Sequence, residues 1–197
     1  MKMPLPPHTA TTRSNGFTLI ELMVTLAVVA LLVVLGAPSL TRFMLDRSVA
    51  VTTDTFVSDL RFARSEALKR GQTVSVCIAS NPDATTRSCA TAAGTAGYAA
   101  GWLVFVDLNG DGALGNTDTV LRVQQDLTNR INGATSNNAA TTKAFTFMNN
   151  GLSAASQSGV TFTPHTSDTT TSSALQRMVC VARTGRARIT SAGATSC

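Results

Sequence analysis

The chain is poor in the residues that usually build active sites. Charged side chains make up 14% of its 197 residues and aromatics 5%, with two histidines, one tryptophan and one tyrosine. There is no G-x-S-x-G elbow, no phosphate-binding P-loop and no H-E-x-x-H pair. Their absence argues against the hydrolase, nucleotide and zinc-protease chemistries that those patterns serve. No two cysteines form a C-x-x-C pair, and beyond residue 16 the one histidine is His165, so a zinc site lacks its ligands. His165 follows Pro164 in a Thr/Ser-rich loop and reads as a surface side chain. No acidic residue follows Asp168. The chain is not expected to be an enzyme. Threonine, serine, alanine and glycine abound instead, which suits an exported, β-rich domain.

Four cysteines are present: Cys77, Cys89, Cys180 and Cys197. An even count in an exported domain favours two disulfides over free buried thiols. Three pairings are possible. The local ones, Cys77–Cys89 and Cys180–Cys197, are preferred because each closes a short loop.

The first forty residues are the most informative. Residues 1–16 are polar and weakly basic, and Leu22 to Thr41 is a run of 20 uncharged residues. That length spans a bilayer. An ordinary secretory signal is cut after its apolar region at a small-residue site. No such site follows here, so the apolar segment is expected to stay. Glu21 stands at its start, where a carboxylate is costly and usually functional. If the chain is cut after Gly16, the new α-amino group of Phe17 would sit near Glu21 of a neighbouring copy, and pairing relieves both charges. The alternative is a glutamate snorkelling from an ordinary anchor. Pro38 removes a backbone donor within the helical run, and a kink or local melting is expected there.

Gly16-Phe17-Thr18-Leu19-Ile20-Glu21-Leu22 resembles the type IV prepilin motif. The resemblance implies removal of residues 1–16 by a prepilin peptidase, N-methylation of Phe17, an assembly role for Glu21 and a helix-loosening role for Pro38. It also implies a single pass through the bacterial inner membrane, a C-terminal domain in the periplasm, and later entry into an extracellular pilus. Without residues 1–16, 14 basic and 11 acidic residues remain of the 16 and 11 in the whole chain, since Lys2 and Arg13 are lost; the net charge falls from +5 to +3.

Downstream, Val49, Phe56, Leu60, Ala63 and Ala67 recur at helical spacing, with Arg47, Asp54, Arg61 and Lys69 opposite. Gly71 should end this helix. From Phe17 to Arg70 it would run roughly 80 Å at 1.5 Å per residue. Arg61, Arg64, Lys69 and Arg70 read as a solvated face. Seven short β runs follow: Thr73–Ile78, Gly101–Asp107, Thr119–Gln125, Lys143–Asn149, Gly159–Pro164, Met178–Ala182 and Arg186–Thr190. Residues 79–100 and 129–142 read as polar loops. The fold class is therefore α+β with antiparallel sheets. The expected organisation is a leader (1–16), a membrane or filament-core helix (17–45) and an amphipathic helix with a β-rich domain (46–197). Ala63-Arg64-Ser65-Glu66-Ala67, Gly101-Trp102-Leu103-Val104-Phe105-Val106-Asp107 and Val120-Leu121-Arg122 resemble the FimT/GspH family of minor pilins and pseudopilins. That implies a pilin fold, a long helix on a small two-sheet domain, and a low-copy subunit among other pilins.

Two loops could carry chemistry. Asp107-Leu108-Asn109-Gly110-Asp111-Gly112, with Asp118 at the twelfth position, matches the oxygen spacing of a calcium loop. It also reads as a polar hairpin turn. In Arg183-Thr184-Gly185-Arg186-Ala187-Arg188-Ile189, a strand places Arg186 and Arg188 on one face and Ala187 and Ile189 on the other, towards a core. Gly185 can make a tight turn that brings Arg183 close. Arginine forks suit phosphate oxygens; a solvated edge strand is the alternative. Gly185-Arg186-x-Arg188 resembles the G-R-x-R motif of FimT-type minor pilins that bind DNA in natural transformation. The resemblance implies that Arg183, Arg186 and Arg188 contact phosphates of double-stranded DNA. About three neutralised phosphates give a salt slope near −3 and weak binding without sequence preference. The rival expectation is a structural GspH-like pseudopilin of a type II secretion system, without DNA binding.

Overall fold

The computed structural model describes residues 16–92, 94–136, 144–154, 158–190 and 197; for residues 37, 38 and 134–136 it describes the backbone alone. Leader residues 1–15, the Pro38 side chain and Lys143 lie outside the described residues.

The chain opens with α1 (Leu19–Arg70), 52 residues long. Its start is set locally. The Thr18 hydroxyl accepts the Glu21 N–H at 3.3 Å, and Glu21 lies in the first turn, where the helix dipole favours a carboxylate. Its end is set by Gly71 at φ 65°, the left-handed conformation that closes many helices. The helix passes unbroken through Pro38, so the expected local melting is not seen. The chain divides into two compact units at Leu40/Thr41. In the first, every large apolar side chain from Leu19 to Leu40 is exposed, and the helix is long and apolar enough to cross a membrane.

In the second unit, Val49, Phe56, Leu60, Ala63 and Ala67 are fully buried, as their helical spacing requires. Eight strands follow: β1 (Val74–Ile78), β2 (Trp102–Val106), β3 (Thr119–Gln124), β4 (Ile131–Ser136), β5 (Ala144–Phe147), β6 (Ser158–Pro164), β7 (Arg177–Val181) and β8 (Ala187–Thr190). They form two antiparallel four-stranded sheets, ordered β3-β2-β1-β5 and β4-β6-β7-β8. One core joins α1 to both sheets. At its centre the Phe56 ring meets Tyr98 and Trp102 at 5.0 Å, Phe162 at 5.3 Å and Phe145 at 5.8 Å. A smaller cluster of Cys77, Ala79, Leu103 and Phe105 packs separately. Both local disulfides form, Cys77–Cys89 and Cys180–Cys197.

Two elements depart from the sequence-based expectation. β4 lies within the stretch read as a loop. Its sequence, Ile-Asn-Gly-Ala-Thr-Ser, has little apolar signal, but β6 supplies its backbone partners. A short helix, α2 (Thr169–Leu175), forms where Thr and Ser predict a loop. The Asp168 side chain caps it, accepting from the Thr170 N–H and the Thr171 hydroxyl. The Thr171 hydrogen bond, followed by that of Thr170, holds the Asp168 carboxyl below its ordinary value.

Candidate nucleic-acid interface

The β7–β8 hairpin is built on a glycine turn. Val181 pairs with Ala187, Ala182 N–H donates to Arg186 O at 3.0 Å, and Gly185 N–H donates to Ala182 O at 2.8 Å. Gly185 has φ 75°, a conformation costly for any side chain. It also has no room for one, because a Cβ there would run into the Gly151 carbonyl and crowd Arg64. A further bond, Ser153 N–H to Arg183 O at 3.0 Å, holds the turn to the segment after β5.

This framework displays the three arginines. Arg183, Arg186 and Arg188 are exposed, while Gly185 and Ala187 between them are buried. Arg186 and Arg188 therefore share a face, as period-two geometry dictates. Ile189, expected to face a core, is 37% exposed. It lies on an edge strand with a neighbour on one side only. Arg188 sits opposite Cys180, whose disulfide to Cys197 fixes the strand beside it. Among the described residues none of the three arginines has an ion pair; the paired cations are Lys69, Arg70, Arg122 and Arg177. Unpaired guanidinium forks on a rigid turn can bind phosphate oxygens.

The hairpin does not stand alone. Arg61, Arg64, Ser65 and Leu68 of α1 line one open groove of about 480 Å³ with Gly185, Arg186 and Ala187. The basic stretch of α1, which reads as one solvated face in the sequence, thus divides into three roles. Arg70 and Lys69 pair with Glu66 at 2.6 and 3.8 Å. The Arg70 hydrogen bond is the main cause of a Glu66 carboxyl held below its ordinary value. Arg64 is half-buried and its Nε donates to Gly151 O at 3.0 Å. Arg61 is exposed at the groove.

The Asp107 loop is a self-capped turn between β2 and β3. Asp107 is fully buried and accepts from Ser75 Oγ (2.7 Å), Gly110 N–H (2.7 Å) and Gly112 N–H (2.9 Å). Asp118 accepts from Leu108 N–H (3.1 Å) and Gly115 N–H (2.7 Å), and Asn109 donates to Asp111 at 2.8 Å. The carboxylates face N–H and O–H donors, which is the turn reading. No group of three or more His, Cys, Asp or Glu able to hold a metal occurs among the described residues.

One polar tie escaped sequence reading. Asp59 of α1 accepts the Trp102 indole N–H and an Arg122 N–H, both at 2.8 Å, and Arg122 lies 3.7 Å over the Phe62 ring. The available signal was an acid on the buried face of an amphipathic helix. Gly16, Phe17 and Glu21 lie exposed at the start of the apolar unit.

The family model described as Type II transport protein GspH matches residues 52–185, and a prokaryotic N-terminal methylation motif matches residues 11–37. The chain belongs to the GspH family. Its members are pilin-like structural proteins, not enzymes, and the motif with the apolar helix fits a membrane-anchored pilin. No curated protein matches this GspH-family chain. Among solved structures, the type IV minor pilin FimU of Pseudomonas aeruginosa PAO1 has the same fold in two crystal forms. One, at 15% identity and TM-score 0.51, covers 74% of this chain and 94% of FimU. The other, at 16% identity and TM-score 0.51, covers 75% and 92%. The pilin fold is thereby shown.

Proposed function

We propose that this protein is a minor pilin of a type IV pilus that binds extracellular double-stranded DNA for uptake in natural transformation. The observation that carries the reading is the display of Arg183, Arg186 and Arg188, exposed and without ion pairs among the described residues, on a turn anchored by Gly185 and beside a disulfide. The methylation motif supports the anchor end of the proposal. A prepilin peptidase cuts after Gly16, Phe17 is N-methylated, and α1 holds the chain in the inner membrane with its second unit in the periplasm. Glu21 then pairs with the Phe17 amine of an adjoining subunit as the protein enters the extracellular filament, and Pro38 eases the helix during that step.

The test is a gel shift with duplex DNA on the full-length chain in non-ionic detergent. Binding should be weak, indifferent to sequence and lost with salt at a slope near −3 for about three phosphates. Arg186→Gln with Arg188→Gln should abolish it. Undiminished binding in that double variant overturns the assignment to the hairpin.

A second reading is favoured by the description of the matching family model: a structural pseudopilin of a type II secretion system. There the arginines are solvated or contact neighbouring subunits, and the wild-type chain shows no DNA binding.

A further inference from the structure

The hairpin arginines read from the sequence are only one wall of the groove they border. The opposite wall is α1, and the side chains meeting there are Arg61, Arg64, Ser65 and Leu68 from the helix and Arg186 from the turn. Among the described residues no acidic side chain lines this groove. The helix glutamate, Glu66, is nearly buried and committed to Arg70 and Lys69. Arg64 is committed too, through its Nε to the Gly151 carbonyl. Arg61 is left exposed, with no ion pair or hydrogen bond among the described residues.

We propose that Arg61 and Arg186 together form a phosphate-binding cleft, so that a DNA backbone passes from the β7–β8 hairpin onto α1. The cleft takes two successive phosphodiester groups of one strand, one at each wall. Arg61 supplies a guanidinium from the helix and Arg186 one from the turn, while the Ser65 hydroxyl in the same groove donates to the Phe62 carbonyl at 2.8 Å. Arg64 is a positioning residue: its bond to Gly151 holds the segment against which Gly185 turns. The proposal rests on DNA binding by the hairpin but assigns a fourth phosphate contact, on an element far from the hairpin in sequence. The cleft walls are packed elements, a helix and a strand-bounded turn, so the contact needs no folding on binding.

The test compares Arg61→Gln, Arg61→Lys and the Arg186→Gln/Arg188→Gln double variant in full-length chain in detergent. The readouts are duplex-DNA affinity across a salt series and thermal unfolding. Loss of one phosphate contact weakens binding about 5- to 10-fold at 0.1 M salt and makes the log–log salt slope shallower by about 0.9. Arg61→Gln should show both effects with unchanged unfolding temperature, and Arg61→Lys should restore most of the affinity. A structural role would not move the salt slope. If Arg61→Gln binds with wild-type affinity and slope while the double variant loses binding, the cleft proposal is overturned and the hairpin reading stands. If the double variant binds like wild type, the hairpin reading fails as well. If Arg61→Gln leaves DNA binding intact but impairs incorporation into filaments, the groove serves a protein partner and the proposal is again overturned.

Discussion

Arg64 and Gly185 meet at a single backbone carbonyl, that of Gly151. Arg64 Nε donates to it at 3.0 Å, and a β-carbon on Gly185 would collide with it. The helix, the segment after β5 and the arginine turn are thus fixed to one another at a point. The glycine of the Gly185-Arg186-x-Arg188 motif is needed for packing as well as for its turn.

Gly185→Ala should therefore lower stability by more than the left-handed backbone alone, which costs roughly 1–2 kcal/mol. The collision with Gly151 adds to that. Thermal unfolding of the full chain measures the loss. A variant as stable as wild type would mean that the turn can shift away from Gly151.

Phe56→Ala should be among the most damaging single substitutions. Its ring touches aromatics of both sheets, Phe145 and Phe162, as well as Tyr98 and Trp102. Removing a buried phenyl group typically costs about 3–5 kcal/mol. Denaturant unfolding followed by circular dichroism gives the value. A loss under about 1 kcal/mol would show that the neighbouring rings collapse into the space.

Glu66 predicts a pH dependence. Its carboxyl is held below the ordinary value, first by the Arg70 hydrogen bond. A depressed acid adds stability that is fully present above its unfolded value and is lost as pH falls through the folded one. The contribution should thus fade below about pH 4, within and under the ordinary carboxylate range. Glu66→Gln should flatten that part of the stability–pH curve and lower stability at neutral pH, where the wild-type contribution is fully present. An identical acid limb in the variant would count against the Arg70 pairing.

Much of this structure is legible from residue spacing. The buried stripe from Val49 to Ala67 follows the helical period, and strands such as Trp-Leu-Val-Phe-Val declare themselves by composition. The exceptions have a common cause. β4 and α2 are polar segments whose order comes from elsewhere: from β6 for one, from the Asp168 cap for the other. The interface divides in the same way. The arginines of the hairpin share one short motif, so their common face can be read from strand alternation. The approach of Arg61 to Arg186 depends on how α1 packs against the second sheet, and no local pattern encodes that. Asp59 is similar: its partners, Trp102 and Arg122, are on strands distant in sequence.

The indole of Trp102 is wholly buried and hydrogen-bonded to a helix carboxylate, and the chain has no other tryptophan. Its intrinsic fluorescence therefore reports from one place, the seam between α1 and the first sheet. Any loosening of that seam during assembly would redshift the emission, giving an unlabelled optical readout of whether the subunit changes shape as it polymerises.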